Sequence, residues 1–285
     1  MDRDALSTPQ SQAIIEEIGK VMKAMKKAGV SYSGWYGTLC VPRGNLGVIE
    51  RINRGMSYEP WDPNLDDVNI PWFLLWEICW LLTHAPPPEG GTVLDLGGAS
   101  SLFSCLLASR GHKVIAIDIS PPLVENGNRI AQVMGWQLQC IEMDMRALNF
   151  SPESFDMIYS VCVYEHIPLS DRISINEQIG HFLKPGGMFA ITFDYLNPVR
   201  GARINSPEDV MEQFVKPSGL SIVGNANFHD NGKRYLEYMS YYSYYPDLEW
   251  IQRWWSFIKG ELSLRGALNK NRRYYTFGAL FLRKD

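Results

Sequence analysis

From Val93 to Ser120 the chain reads VLDLGGASSLFSCLLASRGHKVIAIDIS. An apolar run stops at Asp95 and breaks at Gly97 and Gly98. A stretch with apolar residues at helical spacing follows, and then a second apolar run stops at Asp118. Short, wholly apolar strands are buried on both faces, as in parallel sheets, and parallel neighbours need a crossover, usually a helix. This unit therefore constrains the fold more than any other stretch, and the pattern continues beyond it. Strands are expected at 92–95, 113–118, 138–143, 155–161 and 188–193, with helices near 101–110, 122–134 and 173–183. KPGG at 184–187 reads as the turn into the fifth strand. SPEDVMEQFVKPSG, at 206–219, reads as a helix capped by Ser206, with Pro207 in its first turn and Asp209 closing a capping box. LSIVGNANF and RYYTFGALFLRK read as two final strands. The expected fold class is α/β: a Rossmann-like, doubly wound, mostly parallel sheet of seven strands.

Two segments lie outside this alternation. Residues 1–88 read as a helical and lid segment before a core at 89–285, with APPPEGG at 85–91 as the break. Within the first segment, residues 11–29 have the spacing of an amphipathic helix stopped by Gly29. Residues 31–47, rich in glycine, serine and aromatics, read as a lid, with Tyr36 and Arg43 placed to close over a ligand. IPWFLLWEICWLLTHA, at 70–85, is too short to span a bilayer and contains Glu77, so a buried helix is expected. The second segment is a cap insertion at about 229–273, before the last strand. Its tyrosines and tryptophans suit either an acceptor pocket or a contact between copies of the chain. His229 and Asp230 open it.

Net charge is −4, so no basic excess exists to neutralise a nucleic-acid backbone. The short run KNRRYY, at 270–275, reads as a solvated turn. The five cysteines are odd in number and contain no C-x-x-C, which argues against a disulfide framework and a cysteine-rich zinc site. A reducing, cytoplasmic setting is expected. The first ten residues lack the apolar core of a signal peptide, and no membrane span is expected.

The glycine loop then discriminates among nucleotides. A dinucleotide fold presents G-x-G-x-x-G to the pyrophosphate. Aligned on Gly97, the second and third glycines are replaced by Ala99 and Leu102. Asp95 at the strand tip would also repel phosphate charge. The same carboxylate suits a ligand that carries an ammonium group, and S-adenosylmethionine is such a ligand.

At this point the sequence resembles the class I S-adenosylmethionine-dependent methyltransferases, whose first motif is D-x-G-x-G. Here it stands as Asp95, Gly97 and Ala99, with Gly98 taking part in the turn. The resemblance covers about residues 92–193. It implies that Asp118 accepts from the ribose hydroxyls, with Ile119 beside it. It implies that Asp144, in CIEMDMRAL, meets the adenine amino group while Met145 packs on the ring. SFDMIYSVCVYEHI resembles the motif whose strand end, at Val161, lines the methyl donor, and LKPGGMFAITF resembles the family's next turn and strand. The implied cofactor is S-adenosylmethionine, with S-adenosylhomocysteine as product.

Methyl transfer is an in-line displacement, so alignment and exclusion of water carry much of the rate. A hydroxyl acceptor also needs a base. His166, just after the fourth strand, is the candidate, with Glu165 to orient it or shape the donor site. The acidic balance and the aromatic cap point to a small-molecule acceptor, methylated on oxygen. The alternatives are methylation of a protein or an amine nitrogen, and a partner subunit that keeps the fold without catalysis. No D-D or D-N-D arrangement marks a magnesium site, and no metal ligands are assigned.

Overall fold

The computed structural model describes residues 2–33, 72–196, 204–225, 228–236 and 274–285. The lid with Tyr36 and Arg43, and the greater part of the cap insertion, lie outside the described residues. Strands β1 (Thr92–Leu96), β2 (Lys113–Asp118), β3 (Leu138–Glu142), β4 (Phe155–Val161) and β5 (Leu183–Tyr195) are joined by helices α3 (Leu102–Ser109), α4 (Pro121–Met134) and α5 (Leu169–Phe182), with a short connection from β3 to β4. Strands β6 (Ser221–Ile222), β7 (Tyr235–Leu236) and β8 (Tyr274–Arg283) complete the set. Among the described residues the order is β3-β2-β1-β4-β5-β8-β6, and β7 pairs with the start of β8. β1 to β5 are parallel, and β8 runs antiparallel to β5 and to β6. This is the doubly wound sheet of seven strands that the alternation implies, with one reversed strand.

Side chains alternate between two apolar clusters, as the pleat requires. Val93, Ala116, Met157, Tyr159 and Ala190 point to one face, where α3, α4, α1 (Pro9–Lys27) and α2 (Trp72–His84) pack. Leu94, Ile117, Ile158, Phe189 and Ile191 point to the other, against α5 and Phe214. The N-terminal helices therefore share the core of the sheet. Ile14, Ile18, Val21 and Met25 form the buried stripe of α1, and Glu17 pairs with Arg110 at the end of α3 at 2.6 Å. Phe73 of α2 stacks on Phe277 of β8 at 5.0 Å.

Three elements differ from expectation. β5 begins at Leu183, because Lys184 to Gly187 form a bulge within the β4 pairing. Phe155 faces Leu183 and Met157 faces Met188. Gly186 has φ +77, and a Cβ on Gly187 would lie 2.9 Å from the Lys184 carbonyl, so both positions require glycine. The capping box of Ser206 and Asp209 is present, but α6 (Pro207–Val210) runs through a π-helical turn at Met211–Val215 into α7 (Lys216–Ser218). That turn carries Gln213 onto α5, where Asn176 Nδ2 donates to its carbonyl at 2.7 Å and the Arg172 guanidinium donates to its side chain. α5 starts four residues earlier than its apolar spacing implies, at Leu169 after Pro168. Its first turn pairs the exposed Leu169 with the buried but charged Arg172, so no apolar stripe marks it.

Candidate active site

The chain winds outward from β1 to β3 and then returns to place β4 on the other side of β1. At such a switch point the loops leave in opposite directions and open a crevice beyond the strand ends, where ligands of this architecture bind. Residues 97–101 and 162–168 follow the ends of β1 and β4 at this point. The two loops touch: Gly97 has φ +75, and a Cβ there would lie 2.8 Å from Val163 Cγ2.

The first loop is built around Asp95, which is 1% exposed. Its Oδ2 accepts from Ser104 Oγ at 2.6 Å and from Ser101 Oγ at 3.4 Å, and Ser101 also caps α3. Its Oδ1 is buried with no hydrogen-bond partner among the described residues. Burial pushes the carboxyl up to about 6, against the lowering effect of the serine hydroxyls. Gly98 crosses directly over the carboxylate: a Cβ there would be 1.9 Å from Oδ2. An ammonium donor would satisfy the unpartnered oxygen, so this end of the site fits the amino acid portion of S-adenosylmethionine.

Ala99, where the family motif has glycine, is an ordinary buried residue. The left-handed position falls on Ser100, with φ +67. Three hydrogen bonds, from Ser33 and Asn126, hold it there. Its carbonyl accepts from the Ser33 amide at 2.7 Å and from Ser33 Oγ at 3.1 Å, and its hydroxyl accepts from Asn126 Nδ2. A strained serine so fixed replaces a glycine's freedom with tertiary contacts.

Asp118 ends β2, and its Oδ1 accepts from the Ser120 amide at 2.9 Å, which leaves acceptor capacity for a diol. Burial raises its carboxyl above the usual range. Ile119 beside it is 68% exposed, one of three exposed large apolar side chains among the described residues. Met145 is half-buried and packs against the apolar cluster beneath α5.

Asp144 caps a short 3₁₀ turn, accepts from the Arg146 amide at 2.9 Å, and holds the Arg146 guanidinium at 2.5 Å. Arg146 keeps its carboxyl below the usual range and reaches on to Asp171 at 3.3 Å. An adenine amino group there would share the carboxylate with Arg146.

Val161 closes β4, half-buried against the α3 side of the sheet. The 3₁₀ turn Tyr164–His166 then splits the acid–base pair. Glu165 turns inward and is 3% exposed, while the His166 side chain is 37% exposed. Their Nε2–Oε1 separation is 3.9 Å, longer than a hydrogen bond.

Sequence patterning does not single out Glu77, Cys162 and Asp194 as site residues. Glu77 of α2 is buried below the β4 end, and burial pushes its carboxyl up to about 8. Cys162, with φ +52, donates its thiol to Glu77 Oε1 at 2.6 Å. Asp194, near the end of β5, is also buried. The available signal was an acid in the middle of an otherwise apolar helix.

The strand order and the reversed β8 define a Rossmann-like domain of the methyltransferase type, and comparison with known proteins agrees. Residues 93–187 match the family described as "Methyltransferase domain". A ubiquinone biosynthesis O-methyltransferase of Xylella fastidiosa is 34% identical over 110 residues, 37% of this chain and 43% of that protein. An uncharacterized methyltransferase of Mycobacterium leprae is 30% identical over 124 residues, 43% of this chain and 44% of that protein. The chain thus spans less than half the length of these curated relatives. Two solved structures share the fold at 16% identity and a TM-score of 0.52: phosphoethanolamine N-methyltransferase 2 of Haemonchus contortus in complex with S-adenosyl-L-methionine, covering 73% of this chain and 52% of that one, and the YcgJ protein of Bacillus subtilis, covering 73% and 98%. Residues 93–187 thus form a methyltransferase domain, in agreement with the curated relatives.

Proposed function

We propose that this protein transfers a methyl group from S-adenosylmethionine to a small-molecule acceptor, at a hydroxyl oxygen. The observation that carries the reading is the pair of acids at the tips of neighbouring strands, Asp95 with a buried unpartnered oxygen and Asp118 beside the exposed Ile119. Bound donor supplies an electrophilic methyl on a sulfonium. Asp95 would take its ammonium, Asp118 its ribose hydroxyls, and Ile119 one face of the adenine. Asp144 with Met145 would form the far edge of the base pocket. The relative named for ubiquinone biosynthesis supports oxygen as the acceptor atom. Among the described residues no helix is long and apolar enough to cross a membrane, and Cys79, Cys105, Cys140 and Cys162 are free thiols, which supports a reducing, cytoplasmic setting.

Calorimetric titration with S-adenosylhomocysteine, with NAD run alongside, tests the donor assignment. Saturable binding of the former alone is the expected result, and binding of NAD alone would overturn it. Asp118→Ala removes charge-assisted hydrogen bonds of about 1.5–3 kcal/mol and is expected to weaken that binding by roughly 10–100-fold. An unchanged affinity would take Asp118 out of the ribose site.

His166 is the proposed general base. It stands at the carboxyl end of β4 with its ring in reach of solvent. His166→Ala is expected to lower kcat by roughly 100-fold or more while donor affinity is unaltered. The measurement is turnover with labelled donor on an accepted metabolite, and unchanged turnover would remove His166 from the mechanism.

A further inference from the structure

We propose that Cys162, Glu165 and Asp194 form a binding site for one divalent metal ion of the zinc class. Cys162 Sγ and one carboxylate oxygen from each acid all lie within 4.8 Å of one another. A small inward closure brings three such atoms onto a common ion, given metal–ligand lengths of roughly 2.0–2.3 Å. The residues come from separate places in the chain, the turn after β4 and the end of β5. The sheet brings them together, with Val161 paired to Thr192 and the Cys162 amide donating to the Thr192 carbonyl at 3.1 Å.

A cluster of acids alone would not make a site. Here Glu165 is 3% exposed, and its Oε2 has no hydrogen-bond partner among the described residues. A buried carboxylate oxygen in that condition is unfavourable until a donor or a cation reaches it. The donor set also chooses the ion. Magnesium and calcium take oxygen ligands, whereas a thiolate selects a borderline or soft metal such as zinc, cobalt or iron. Absence of a C-x-x-C pair does not bear on a site that uses one cysteine with two carboxylates.

Coordination breaks the S–H bond and forms a sulfur–metal bond. The proton is released to the buffer, with Glu77 Oε1, which accepts that hydrogen at 2.6 Å, as the first relay. Three protein ligands leave a fourth position open, as catalytic sites of this metal do. If the methyl-transfer reading holds, an acceptor oxygen bound there would have its pKa lowered before attack.

The test is direct. The purified full chain is stripped with a chelator and titrated with cobalt(II). The expected result is one bound equivalent with a near-ultraviolet sulfur-to-cobalt charge-transfer band, displaced by zinc and not by magnesium in about a hundredfold excess. Cys162→Ser should abolish the band, and the near-isosteric Glu165→Gln should weaken binding by at least about tenfold. No cobalt binding, a band that survives Cys162→Ser, or displacement by magnesium would each overturn the proposal. Each variant is also titrated with S-adenosylhomocysteine. Retained donor binding shows that a lost metal does not reflect a lost fold. Cobalt binding without donor binding would uphold the metal site while the methyl-transfer reading fails.

Discussion

Gly98→Ala is expected to destabilise the protein by about 3–5 kcal/mol and to abolish measurable donor binding. The added methyl would lie 1.9 Å from Asp95 Oδ2 and 2.1 Å from its Cγ. No side-chain carbon tolerates such distances, so the carboxylate must leave its place. It cannot leave freely, because Oδ2 is held by Ser104 and Ser101 and the group sits at the end of a buried strand. Moving it breaks both hydrogen bonds, strands a buried polar group and uncaps the approach to α3. The same displacement removes the oxygen proposed to meet the donor's ammonium. Gly19→Ala is the control. Gly19 lies within α1 with nothing in reach of an added Cβ, and alanine there is expected to stabilise by roughly 0.5–1 kcal/mol. Denaturant midpoints and calorimetric titration of the three proteins check the pair. A Gly98→Ala protein with wild-type stability and affinity would mean that the loop does not lie on Asp95 at all.

Asp95→Asn is expected to move stability and donor affinity in opposite directions. The folded carboxyl titrates at about 6 and the ordinary value is 3.8. A folded value raised in this way means that protonation favours the fold. The contribution is full below pH ~4 and is lost as pH rises through ~6. The difference corresponds to at most about 3 kcal/mol at neutral pH. Asparagine has no such titration and keeps an oxygen for Ser104. The stability of the variant relative to wild type should therefore rise between pH ~4 and ~6.5 and then level off. Its donor affinity should fall by about tenfold or more, since the ammonium loses its charge partner. Thermal unfolding across that pH range, with S-adenosylhomocysteine titration at neutral pH, decides the matter. A pH-independent stability difference together with unchanged affinity would sink both the burial argument and the donor role of Asp95.

Legibility followed the range of the interactions involved. The helix cap at Ser206 and the first-turn proline were readable because capping couples residues three apart. Asp95 and Asp118 were readable because each ends an apolar run. Ser100 was not, since serine in a left-handed conformation is held there by Ser33 and Asn126, distant in sequence. The bulge at Lys184 to Gly187 depends on what β4 presents opposite it. Asp144 reads as a ligand through the resemblance alone, and only the structure shows the guanidinium of Arg146 holding it.

The sequence by itself determined the alternation of strands and helices, the acid-tipped glycine loop and the class of ligand that loop excludes. These rest on periodicity and on chemistry between near neighbours. Only the tertiary structure decided that β4 returns beside β1, that Ser100 takes the strained position, and that Glu77, Cys162, Glu165 and Asp194 meet below one crevice. Those outcomes depend on which strands lie side by side and on how deeply each polar group is buried, and neither is encoded in local spacing.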